Sequence, residues 1–315
     1  MTATSGGTLH HHHHGLFSIS HHTVVAVVVS LLSSISFAVA TVAQQRAAAS
    51  VDEDATEGTS FVTTLLTSWA WWGGTLGNIG GYVLQAIALA YGSLLVVQPI
   101  IVTAVLFALP LDARLKKVKM PAEVWVWGVV LVVSLALFVV TGNPNRGLTH
   151  ASPQAWVILA ATLGPAMVLL TIAAFRKQGA LRSGLLAVVV GVLAGVTALL
   201  TKVVVERWEG GVTHIFGSGE LYALVVVGLT GVYLQQVAFQ SGSLRASMPT
   251  IHVVEPLAAA VLGILLLQER LRVNQLQALV LVVVTVLMVL ATIVLARDQA
   301  DVELGLTPPK QKRQG

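Results

Sequence analysis

Cysteine is absent from the 315 residues, which excludes disulfides, thiolate metal sites and cysteine nucleophiles. Charge is scarce as well. Asp, Glu, Lys and Arg together make up 10% of the chain, too few to keep a water-soluble domain of this length solvated. Enzyme signatures are missing: there is no Gly-rich phosphate loop, HExxH or GxSxG, and no acidic cluster inside an apolar run to hold a catalytic metal. An enzyme is therefore not expected, and no cofactor is implied. Residues 1–22 contain no Lys or Arg, so they lack the basic opening of a cleavable signal peptide. The net charge of +4 is small, and its basic residues flank apolar runs, which argues against a nucleic-acid partner.

What is present is hydrocarbon. Apolar residues make up 55% of the chain, with a mean hydropathy of +0.82. Apolar runs recur at about 20 residues, the length needed to cross a bilayer at 1.5 Å per residue. The expected fold class is all-α, a polytopic membrane helix bundle with the lipid bilayer as its solvent, in a bacterial-type inner membrane. Nine spans are read at 23–43, 69–91, 93–111, 124–141, 154–175, 181–203, 220–240, 247–267 and 274–296. Residues 1–22, with the run His10–His14, read as a disordered His-rich tail or an appended remnant. Residues 46–66, carrying Asp52, Glu53, Asp54 and Glu57, read as a hydrophilic loop, and 297–315 as a disordered tail.

Orientation follows from the loops. Splitting the ten non-membrane segments alternately puts 13 of the 18 basic residues in one set, including Arg46, Arg114, Lys116, Lys117, Lys119 and the C-terminal Lys310, Lys312 and Arg313. The other set holds Arg146, Lys202, Arg207, Arg270 and Arg272. The positive-inside rule then places the C-terminus in the cytoplasm and the N-terminus outside. The seven Trp residues fall at or near expected helix ends, as an interfacial belt requires.

The chain also resembles itself. GYVLQAIALAYGSL (81–94) matches GVYLQQVAFQSGSL (231–244) at a fixed offset, and VVQP (96–99) then matches VVEP (253–256). Gly, Leu and Ala coincide readily in apolar helices, but the paired Gln-x6-Gly-Ser-Leu followed by Val-Val-(Gln/Glu)-Pro does not arise from composition. The matching helices are the second and the seventh, five apart in chain order, so they run in opposite directions. The expected plan is a first repeat at 23–141, a linking helix at 154–175 and a second repeat at 181–296. Inverted repeats of this kind characterise secondary transporters, which bind substrate near mid-membrane between the halves.

Polar residues inside the spans are the candidate site. Glu255 lies about eight residues into its helix. An ionised carboxylate there is costly, so a proton- or cation-coupling role competes with that of a hydrogen-bonded structural carboxyl. Pro256 removes a backbone donor and frees the carbonyl of His252; with Pro249 it predicts an irregular stretch at 249–256. Pro99 is its counterpart in the first copy. Gln98 takes the place of Glu255 in that copy, while Gln85 and Gln235 occupy equivalent places beside Tyr82 and Tyr233. Amides at these depths can bind solute or clasp helices. His252 could titrate with Glu255 or simply pack. Lys202, at a helix end, is expected to snorkel to water. Ser33, Ser34, Ser36, Gly191, Gly195 and Thr197 read as close-packing surfaces.

The run AFQSGSLRASMPTIHVVEPLAAAVLGILLLQERL (238–271), with the apolar helix after it, resembles the penultimate helix pair of the drug/metabolite transporter superfamily, EamA-like members included. WWGG (71–74), followed by the helix leading into SLLVVQP (93–99), is similar to the second and third helices of NIPA-type magnesium transporters. The resemblance implies alternating access and transport of a small solute, with proton coupling through Glu255 as one form. Magnesium or another divalent cation is the alternative. Where the NIPA pattern has Gly-Glu and then Asn, this chain has Gly81-Tyr82 and Gln85, which removes an anionic partner that Mg²⁺ favours. A third reading, different in kind, is a non-transporting scaffold, and a second copy of the chain is a possible partner.

Overall fold

A computed structural model describes residues 21–54, 69–117, 119–142, 144–145, 147–241 and 244–303. Residues 1–20 and 304–315 of the expected tails lie outside these residues, as do 55–66 of the expected loop. Because lipid offers backbone groups no hydrogen bonds, an apolar run must satisfy its own amides and carbonyls, and it does so as a helix. The described residues form α1 (His21–Asp54), α2 (Trp69–Tyr91), α3 (Leu94–Ile101), α4 (Ala104–Leu115), α5 (Ala122–Gly142), α6 (Pro153–Phe175) and α7 (Gly179–Glu206). A 3₁₀ turn follows at Arg207–Gly210. The remainder are α8 (Val212–Phe216), α9 (Gly219–Gln240), α10 (Leu244–Leu266) and α11 (Gln275–Glu303). Among the described residues, eight helical stretches are long and apolar enough to cross a membrane, with α3 and α4 forming one of them. The protein is a multi-pass helical membrane protein. The helix α2 is as long as its neighbours, but its Trp, Gly, Thr and Asn residues leave it outside that set.

Close helix packing uses the small residues. Ser33 Oγ donates to the Gly81 carbonyl at 2.8 Å and Ser36 Oγ to that of Gly77 at 2.8 Å, joining α1 to α2. Across α7 and α10, a Cβ added at Gly195 would lie 2.7 Å from that of Ala258. These contacts are made by van der Waals packing and hydrogen bonds, since apolar burial itself gains nothing between helices in lipid. In the first half α1 packs against α2 and against α3 and α4; in the second, α7 packs against α9 and α10. Further contacts join α3 to α10, α2 to α7, and α5 to α11. The largest core cluster draws on both halves, from Ala26, Leu89 and Leu94 to Leu199, Ala259 and Leu267.

Three expectations need correction. Asp52, Glu53 and Asp54 are helical, at the end of α1, and Arg297–Glu303 continue α11. Chain next to membrane-embedded helix needs no new nucleus, so polar residues extend it. Residues 249–256 are not irregular: α10 runs unbroken through Pro249 and Pro256, since neighbouring helices let a transmembrane helix tolerate a missing donor. The interruption lies instead at Val102–Thr103, just beyond Pro99. There the Ile100 carbonyl accepts from Thr103 N (2.9 Å), Thr103 Oγ1 (2.6 Å) and Ser34 Oγ (2.9 Å). Those donors replace the regular helical bond and tighten the turn.

Candidate functional site

The α3 helix starts inside the bundle at a two-residue break, Gly92–Ser93, after α2. Its first amides have no partner within the helix. Ser93 holds the N-cap position, but its side chain makes no capping bond. The acceptor comes from 175 residues further along the chain. Glu269 Oε1 accepts from Leu94 N at 2.9 Å, and Oε2 from Leu95 N at 3.2 Å. Lys202 Nζ, on α7, donates to Oε1 at 2.7 Å. Both charged residues are fully buried. Two backbone N–H groups, the positive end of a helix and an ammonium thus converge on one carboxylate.

Local backbone delivers Glu269 to that place. Gln268 adopts φ +52, uncommon for a non-glycine residue, and turns the chain at the end of α10, so that Glu269 N returns to the Gly263 carbonyl at 3.0 Å. Gly263 leaves the room the carboxylate occupies, because a Cβ there would lie 2.8 Å from Oε2. The chain after α5 closes over the top. Leu148 N donates to the Leu267 carbonyl, Asn145 N to that of Arg270, and Arg270 N to Asn145 Oδ1. Gly147 sits in this cover with φ +68; a Cβ there would come within 2.4 Å of the Leu267 carbonyl oxygen. Segments from both halves of the chain are therefore hydrogen-bonded together at one end of the bundle.

Lys202 is the correction here. Its stem does not snorkel to water, because a buried carboxylate meets its ammonium. Glu269 was not among the candidates from sequence. The available signal was topological: the alternating segments put Lys202 and the Gln268–Arg272 loop at the same membrane face. Pairing them needed the rotation of α7 about its axis, which loop counting does not supply.

The remaining candidates are distributed around this closure. Gln98, one turn into α3, is 1% exposed, and its Nε2 has no hydrogen-bond partner; nor does Ser93 Oγ, which is also buried. The α3 helix packs against α10, which carries His252 and Glu255, both half-buried. Tyr82, on α2, meets the Phe37 ring edge-on at 5.0 Å and is within electrostatic range of the Glu255 carboxylate. Gln85 is buried in the same helix. Tyr82, Gln85, Gln98, His252 and Glu255 thus lie on three helices, α2, α3 and α10, with Tyr82 exposed. Gln235 is half-buried and Tyr233 exposed on α9, which packs chiefly against α7. Pro99 lies inside α3, and Pro249 and Pro256 inside α10. The described residues hold no group of three or more His, Asp or Glu placed to bind a metal.

An uncharacterized protein of Corynebacterium glutamicum is 31% identical to this chain over 269 residues, spanning 84% of the chain and 92% of the relative. The chain belongs to that protein's family. No family model matches the chain, and no solved structure matches it.

Proposed function

We propose that the protein is a secondary transporter of the drug/metabolite type, moving a small solute by alternating access between two inverted four-helix halves. The carrying observation is the buried Lys202–Glu269 pair at the sealed end. A bundle that only needed to hold together would do as well with apolar side chains there, because a buried ion pair recovers little more than its own desolvation. A closure that must open is different. On opening, both charges regain hydration, which offsets the lost attraction and lowers the difference between shut and open states. Glu269 then acts as a latch, holding the amino end of α3 against α10 and α7.

The neighbour pattern supports the inverted plan. The first helix of each half packs against its second and third, α1 with α2 and α3–α4, α7 with α9 and α10. The peripheral α6, packed against α7, suits a linker between four-helix units, and counting α2 as a span makes nine. Below the latch, the unpartnered Gln98 amide and the half-buried Glu255 provide a neutral hydrogen-bonding group and a carboxylate for solute and coupling ion, as expected of polar groups held within a membrane.

The absence of native cysteine makes the test direct. A Gln98→Cys chain reconstituted in vesicles should react with a membrane-impermeant maleimide from the face opposite the latch. Adding Glu269→Gln should admit the reagent from the latch face as well. A thiol at position 98 unreactive from both faces in both backgrounds would leave a closed scaffold and remove the transporter reading.

A further inference from the structure

A cavity of about 630 Å³ lies away from the latch, between α1, the interrupted α3–α4 helix and α5. Its size is that of a small-molecule pocket, yet its lining is almost wholly apolar, represented by Val28, Leu31, Phe107, Val132 and Ala136. Thr103 is the one lining residue with a hydroxyl, and that hydroxyl is already bonded to the Ile100 carbonyl. The helices α1 and α5 do not pack along their lengths, and Val28 and Val132 are half exposed. The space is therefore a groove open to the surrounding hydrocarbon. Along α5 it runs from Val124 to Val140, about 24 Å at 1.5 Å per residue, most of a hydrocarbon thickness of roughly 30 Å.

Apolar shape selects nothing in a bilayer, where every neighbour is an acyl chain. Charge does. The groove ends at Pro110 and Met120, and the chain joining them carries Arg114, Lys116, Lys117 and Lys119, all exposed. Arg46 of α1 reaches the same turn, donating to the Leu115 carbonyl at 3.3 Å. Asp112 pairs with Lys116 at 2.9 Å and so offsets one positive charge. Glu123 lies near Asp298 of α11, on the flank of α5 opposite Trp125 and Val132 at 100° per residue.

We infer that this groove is a binding site for an anionic phospholipid, whose acyl chain lies between α1 and α5 while its phosphate is held by the Arg114–Lys119 turn and Arg46. Basic residues at the membrane surface hold anionic headgroups, each adding roughly fivefold in occupancy. An apolar channel alone would take any lipid; a basic turn alone would bind headgroups loosely. Together they retain one lipid class.

Native mass spectrometry of the full chain in detergent, offered equal phosphatidylglycerol and phosphatidylcholine with the same acyl chains, tests this. The unaltered chain should keep phosphatidylglycerol at least about fivefold over phosphatidylcholine, as for one basic residue. Arg114→Gln/Lys117→Gln/Lys119→Gln, which spares the Lys116–Asp112 pair, should cut that preference at least about fivefold while leaving the fold intact, since all three side chains are exposed. Ala136→Trp, which fills the groove, should lower retention of both lipids. Equal retention by the unaltered chain, or a preference undiminished by these substitutions, would overturn the assignment. So would a dimer that Ala136→Trp dissociates, which would put a second copy in the groove.

Discussion

Removing a lysine and a glutamate from water costs several kcal/mol of hydration for each ion, and at Glu269 the surroundings must replace it. They do so with the Lys202 ammonium and the Leu94 and Leu95 amides. Removing one partner leaves the other charge buried without compensation, at a typical cost of about 3–5 kcal/mol. Lys202→Met and Glu269→Gln should therefore each lower the melting temperature in detergent well below that of the unaltered chain. The double variant should lose less than the sum of the two, since the charges disappear together. Strictly additive losses in a thermal-melt double-mutant cycle would show that the two side chains do not act as a pair. Gln98 is the complementary case: its buried amide has a donor without a partner, which costs stability.

At the level of helices, proximity is set by side-chain size. The contact between α7 and α10 depends on Gly191 and Gly195. A Cβ at Gly195 would meet not only Ala258 but the Ala259 backbone nitrogen at 2.8 Å, which cannot rotate away. Gly195→Val should separate the two helices and destabilise by about 1–3 kcal/mol, the usual cost of overpacking. Gly184→Val in the same helix, with nothing within 4 Å of the added Cβ, should leave the melting temperature unchanged. Equal effects of the two substitutions on thermal melts would mean that helix propensity, not helix contact, dominates. The interrupted α3–α4 helix shows the converse: Ser34 and Thr103, two hydroxyls 69 positions apart, compete for the Ile100 carbonyl and break a helix that apolar patterning alone would have continued.

For the whole molecule, orientation is the open quantity with a decisive measurement. The excess of basic residues in alternate loops predicts a cytoplasmic C-terminus. A cysteine placed at position 312 should react with an impermeant thiol reagent only after cells are permeabilised; reaction in intact cells would reverse the bundle and exchange the faces assigned to the latch and the basic turn. The amino-acid sequence by itself determined the solvent, the helical class and the position of each apolar segment along the chain, because all three follow from hydrophobicity summed over about twenty neighbouring residues. It also marked Ser33, Ser36, Gly191 and Gly195 as contact surfaces, since small residues in a lipid-embedded helix have few other uses. Only the tertiary structure decided which charges meet. Lys202 and Glu269 are 67 residues apart, and their pairing depends on how α7 is rotated, on the left-handed turn at Gln268 and on the opening of α3 that receives the carboxylate. These are long-range geometric facts. Hydropathy records how deep a residue lies in the membrane, but not which neighbour it faces.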